Sequence, residues 1–229
     1  MMFKVVLGMG ESVSMKGLKD IALITSGLGQ MPVFWDGKDS VLQLKAAHYN
    51  WKQMEWWAFY FEHKFRALFD HHLTFPGERY DQVQFDLKGE INWDLKAKAI
   101  TSGDQKVILN DKTSMENSIA RHGYHGEIIG LCDVEYDDDA RGFQHWHTQL
   151  KGGLSAYEKE RKTRTTTSRR RKKSATLKEV AFVIVEEKDL PKLLTMKQGR
   201  NSNGKPRPEK YMLDMTEVNL FFHERFLCR

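Results

Sequence analysis

Residues 41–72 contain neither glycine nor proline, and they carry Trp56, Trp57, Phe59, Tyr60, Phe61, Phe65, Leu68 and Phe69. A run of this length, rich in helix formers, is expected to make one long helix or two. Its large side chains cover more than one face, so it must be buried on several sides. Strands elsewhere in the chain supply the surface to pack against. Residues 82–87 alternate, with Val83, Phe85 and Leu87 on one side, and Lys88-Gly89-Glu90 provides a turn. The return also alternates: Ile91, Trp93, Leu95, Ala97 and Ala99 share one face, and Asn92, Asp94, Lys96 and Lys98 the other. A short helix over 114–122, an apolar strand over 127–134 and a buried central strand over 180–185 follow. Residues 140–173 read as helical and then basic, 197–210 as a loop, and 211–226 as a segment that packs back on the body. The order helix, hairpin, helix, strand points to an α/β (α+β) fold, a mixed sheet flanked by helices, in a single domain over 1–229.

Several classes are excluded. No run of eighteen apolar residues exists, so nothing is expected to span a membrane. Neither a secretory leader nor a Walker-type phosphate loop is visible. Residues 3–7 suit a strand, and Gly8-Met9-Gly10 after it suits a plain turn, since the third glycine of a dinucleotide-binding turn is missing. Two cysteines, Cys132 and Cys228, are too few for a disulfide scaffold or a four-cysteine zinc site, so a reducing, cytoplasmic compartment is expected.

Charge is concentrated. Between Lys159 and Lys173 nine basic residues face one acid, Glu160, a local charge of +8 in a chain of net charge +5. A slightly acidic body with one basic element is the footprint of a polyanion binder. Lys151, Arg161, Arg164, Arg169, Arg170 and Arg171, within a basic segment at about 145–175, are the expected nucleic-acid contacts. His145 and His147 lack a third ligand for zinc and are expected to pack on the core. The acids Asp133, Glu135, Asp137, Asp138 and Asp139 lack the spacing of a calcium loop.

Chemistry is carried by the polar face of the second hairpin strand, which puts Asp94 beside Lys96. An aspartate holds a hard cation through oxygen, and a neighbouring lysine orients water or offsets charge on a phosphate. A metal site needs a further carboxylate, and Asp81 or Asp86 can supply it. Asp81…Asp94-Leu95-Lys96 resembles the active-site signature of the PD-(D/E)XK nuclease superfamily, and the elements over roughly 55–135 resemble that family's core. Tyr80 stands where the proline of the name would be. Asp36-Gly37-Lys38, Asp86-Leu87-Lys88, Asp104-Gln105-Lys106 and Glu186-Glu187-Lys188 repeat the tripeptide pattern, but they lie in turns or at a strand exit. Asp81 sits at the start of its strand at a comfortable spacing and ranks first. Asp86 shares the face of Asp94 in a regular hairpin and stays open.

The resemblance implies a Mg²⁺-dependent type II restriction endonuclease. Asp81 (or Asp86) and Asp94 would bind the metal, and Lys96 would position and deprotonate the attacking water. It further implies double-stranded DNA as substrate, a homodimer for a palindromic target, and a cognate DNA methyltransferase in the same system. The alternatives are a structure-specific nuclease, such as a junction resolvase or repair enzyme, and a non-catalytic nucleic-acid-binding protein.

Overall fold

The computed structural model describes residues 15–76, 85–101, 103–154, 158–159, 170–199 and 204–228. The strand expected over 3–7 and the first half of the one over 82–87 lie outside them. Helix α1 (Met15–Gly27) precedes a short strand β1 (Phe34–Asp36) and helix α2 (Gly37–Ala46). Asp36 starts α2 by accepting from the Lys38 and Asp39 backbone N–H groups at 2.9 and 3.1 Å. The aromatic run divides into α2 and α3 (Trp56–Phe69). The break is a Schellman end at His48, whose φ is +54°. His48 N–H donates to Lys45 O at 3.1 Å, and Tyr49 N–H to Leu44 O at 2.8 Å. Trp56, Trp57, Tyr60, Phe61, Phe65 and Phe69 of α3 are all buried.

β2 (Leu87–Lys88) and β3 (Asn92–Ala99) form the hairpin, followed by β4 (Lys106–Asp111), α4 (Lys112–His122) and β5 (Tyr124–Tyr136). The side chain of Asp111 caps α4, and Gly123, at φ +89°, ends it. Helix α5 (Gly142–Leu150) is shorter than the helical stretch expected after residue 140. Strand β6 (Lys172–Glu186) is longer than the expected 180–185 and starts inside the basic run. β7 (Leu194–Met196), β8 (Lys210–Asp214) and β9 (Phe222–Leu227) follow, so the expected return of the C-terminal segment is present.

The larger sheet has the order β1-β6-β5-β3-β2, with β9 also paired to β6; the smaller has the order β4-β8-β7. β3 runs parallel to β5, while β2 and β6 pair antiparallel to their neighbours. The fold is therefore mixed α/β. Ile128, Val180, Phe182 and Ile184 pack with α1–α3 on one face of the sheet. Ile129, Ala181, Val183 and Val185 pack on the other with Met115 and Ile119 of α4 and Tyr211 and Leu213 of β8. Burial on both faces is why β5 and β6 read as unbroken apolar runs. Among the described residues, no helix is long and apolar enough to cross a membrane.

Candidate functional site

Register builds the site. Across the parallel pair, Asp94 lies opposite Glu127, Trp93 opposite Gly126 and Lys96 opposite Ile129. Opposed residues share a face, so Asp94 and Lys96 of β3 stand beside Glu127, and beside His125 two residues earlier on β5. This face of β3 is covered: Asn92 and Asp94 are buried rather than displayed to solvent.

His125 is the hub. Its Nε2 lies 2.9 Å from Asp94 Oδ2 and 3.5 Å from Glu127 Oε1. Its Nδ1 is 3.1 Å from Ser118 Oγ on α4. Lys96 Nζ stands 3.9 Å from both Asp94 Oδ2 and Glu127 Oε2. Asn110 of β4 donates its amide to Asp94 Oδ2. Glu127 is 0% exposed, and among the described residues neither of its oxygens accepts a hydrogen bond. Asp94, His125 and Glu127 each bring one potential ligand atom within 4.8 Å of the other two.

Asp86 closes the cluster at the edge of β3. Its N–H donates to Trp93 O at 3.0 Å, and its Oδ2 accepts from Leu95 N–H at 2.8 Å, taking the place of a ladder carbonyl. From α3, Glu62 approaches with its carboxylate accepting from the Tyr49 hydroxyl.

The electrostatics follow from burying so many charges together. Burial opposes ionisation of Asp94, but Lys96, His125 and Asn110 outweigh it and hold the carboxyl below the usual range. Burial likewise opposes the charge on His125, yet Asp94 and Glu127 push it up to about 9. Burial works against Lys96 as well, and Asp94, Glu127, Asp86 and Glu62 together hold its ammonium above the ordinary lysine range. Asp86 is pushed up to about 7, first by burial and then by Asp94 and Glu62, against the pull of Lys96. Lys96 is therefore a fixed cation in this structure. Asp86 is the group whose protonation changes near neutrality.

Compared with protein-family models, curated proteins and solved structures, the chain matches none. The reading of the site rests on its own geometry.

Of the residues expected from sequence, Asp94, Lys96 and Asp86 come together. Asp81, Arg161, Arg164 and Arg169 lie outside the described residues. Two expected nucleic-acid contacts are placed differently. Arg171 is buried, its guanidinium bound to Glu158 and its Nη1 3.0 Å from His147 Nδ1. Lys151 has a side chain 10% exposed and turns to Glu158 at 3.3 Å. Both serve an internal ion pair because α5 and the start of β6 bring their charges under cover. Arg170 is at the surface and pairs with Asp139. His145 is exposed and His147 buried, so they do not face a common ion. Of the acidic cluster, Asp137 caps α5 through the Phe143 and Gln144 N–H groups, while Glu135 pairs with Lys173 and Asp133 with Lys178. The rival Glu186 pairs with Lys188 at 2.8 Å at the strand exit.

Sequence reasoning passed over His125, Glu127, Asn110, Ser118 and Glu62. The one available signal was a histidine and a glutamate two residues apart at the head of an apolar strand, which puts both on one face of a buried sheet.

Proposed function

We propose that this protein is a metal-dependent endodeoxyribonuclease of the PD-(D/E)XK type, acting as a type II restriction enzyme on double-stranded DNA. The observation that carries the reading is the buried group on two parallel strands, Asp94 and Lys96 on β3 beside Glu127 on β5. The order α3, β2–β3 hairpin, α4, β5, with β4 of the smaller sheet between the hairpin and α4, supports it, since the resembled core runs helix, hairpin, helix, strand. Among the described residues the buried oxygens of Glu127 accept no hydrogen bond, and the ion pairs to Lys96 and His125 are long, so the carboxylate also suits a cation.

A divalent ion, Mg²⁺ by the resemblance, would be held by Asp94 with the neighbouring carboxylate Glu127, and would stabilise charge on the scissile phosphate. The chain's own residues do the rest. Lys96, held as a cation, orients the attacking water and offsets charge on the phosphate oxygens. Proton removal falls instead to Asp86, whose carboxyl titrates near neutrality. The water oxygen bonds to phosphorus as the bond to the 3′ oxygen breaks. That oxygen takes up a proton, leaving a 5′-phosphate and a 3′-hydroxyl. A palindromic target implies a homodimer, and self-protection implies a partner methyltransferase in the same cytoplasm.

The test is digestion of unmethylated phage DNA with Mg²⁺, Mn²⁺ or EDTA, beside Asp94→Ala. Discrete bands that need a divalent ion and disappear in the variant are expected. Cleavage that persists in EDTA, or intact DNA under every condition, overturns the reading. Cutting confined to branched substrates would replace it with a structure-specific nuclease.

A further inference from the structure

We propose that His125 is a metal ligand, and that Asp94, His125 and Glu127 form one site for a first-row transition-metal ion in preference to Mg²⁺ or Ca²⁺. The inference deepens the nuclease reading and rests on it for the use made of the ion.

Spacing comes first. Ligands about 2.1 Å from a common ion, at angles between octahedral and tetrahedral, lie roughly 3.0–3.4 Å from one another. His125 Nε2 lies 2.9 Å from Asp94 Oδ2 and 3.5 Å from Glu127 Oε1. These two separations bracket that range within about 0.1 Å, and all three donor atoms lie within 4.8 Å of one another, close enough to converge on one ion.

Glu127 gives the second, independent observation. Its side chain is 0% exposed, and among the described residues neither oxygen accepts a hydrogen bond. Lys96 at 3.9 Å is too far to donate one. A cation at the centre of the donor set would satisfy this carboxylate once His125 Nε2, 3.5 Å from Oε1, gives up its proton to coordinate, whereas the Lys96 ion pair at 3.9 Å supplies no hydrogen bond.

The surrounding shell agrees. Ser118 Oγ, on α4, lies 3.1 Å from His125 Nδ1 and fixes the ring with Nε2 toward the carboxylates. Asn110 donates to Oδ2 of Asp94, the oxygen that faces His125, and holds that carboxylate in place. Metal-bound histidines characteristically give their second nitrogen to such a partner. The nitrogen donor then sets the selectivity. Mg²⁺ and Ca²⁺ favour all-oxygen sites, and an imidazole moves preference toward Mn²⁺, Co²⁺ and Zn²⁺.

The experiment uses the full chain and Mn²⁺ as the probe, titrated by electron paramagnetic resonance, with electron spin-echo detection of nitrogen coupled to the bound ion. One Mn²⁺ with imidazole-nitrogen modulation is expected, displaced by Mg²⁺ only at large excess. His125→Gln should abolish the modulation and weaken Mn²⁺ by about 10- to 100-fold while changing Mg²⁺ affinity much less. Should His125→Gln fail to fold, Ser118→Ala keeps all three donors and should weaken Mn²⁺ by about tenfold. Bound Mn²⁺ without nitrogen modulation, a folded His125→Gln of unchanged Mn²⁺ affinity, or a folded wild type that takes up no Mn²⁺ overturns the proposal. Mn²⁺ held by imidazole in a protein that leaves DNA intact would keep the site and sink the nuclease reading.

Discussion

Asp20 on α1 accepts three hydrogen bonds while buried: from Glu90 N–H at 2.8 Å, Ile91 N–H at 3.0 Å and Trp93 Nε1 at 2.9 Å. It pins the turn between β2 and β3 one residue short of Asp94, and a Cβ on Gly89 would lie 2.4 Å from its carboxylate. Asp20→Ala strands two buried donors and leaves a third, partly buried one, to water, so urea denaturation should show a loss of more than about 2 kcal/mol. His147 gives the pH-dependent counterpart. It is buried between Trp51 O, which takes its Nε2 proton at 2.9 Å, and Arg171, which donates to its Nδ1. Burial, aided by Arg171 and Lys151 and opposed by the bond to Trp51 O and by Glu158, pushes it down to about 4 from 6.5. Between those values the folded state binds fewer protons than the unfolded chain, so the contribution of His147 to stability is present above pH 6.5 and fades as pH falls toward 4. The stability gap between wild type and His147→Gln should therefore narrow from pH 7 to pH 5. A gap independent of pH would mean that the imidazole is not held neutral.

At the scale of elements, the approach of β3 to β5 depends on Gly126, where a Cβ would meet Trp93 Cε3 at 2.4 Å. The indole lies across β5 and cannot retreat, because Asp20 holds its nitrogen. Gly126→Ala should lower stability by about 1–3 kcal/mol, read from the urea midpoint, and should disturb His125 and Glu127 on either side. The elements themselves were largely legible in the sequence. Alternation located β3, and the aromatic run marked α3 as a helix buried on more than one side. The His48 helix end was not legible, because glycine is the usual mark of a left-handed residue and none is present. Half of the site escaped for a different reason. Asp86, on the hairpin arm preceding β3, joins the cluster as its shared face with Asp94 suggested, whereas Glu127 and His125 come from the parallel neighbour reached through α4. Which residue of β5 stands opposite Asp94 is set by how that crossover packs, and no pattern within either strand encodes it.

At the scale of the whole molecule, the +8 run is partly answered by acids nearby: Arg170 by Asp139, Arg171 by Glu158 and Lys173 by Glu135. Its outward charge is smaller than the sequence count implies. Replacing Arg161, Arg164 and Arg169 together by Gln should reduce the salt slope of DNA binding by up to about 3. Arg171→Gln should instead lower the unfolding temperature and leave the slope in place. An Arg171→Gln variant that melts like wild type but binds DNA with a reduced slope would put its guanidinium on the phosphate backbone after all. The arrangement of strands has a consequence in time. β1 and β9 lie on the same edge of β6, registered to Ser174–Thr176 and to Glu179–Ile184, although all of the chain between Asp36 and Phe222 separates them. That edge is complete only when two segments distant in sequence have both found β6, which demands the closure of very long loops. Such pairings slow the search for the native state, so refolding belongs to milliseconds or longer rather than to the microseconds of helical bundles.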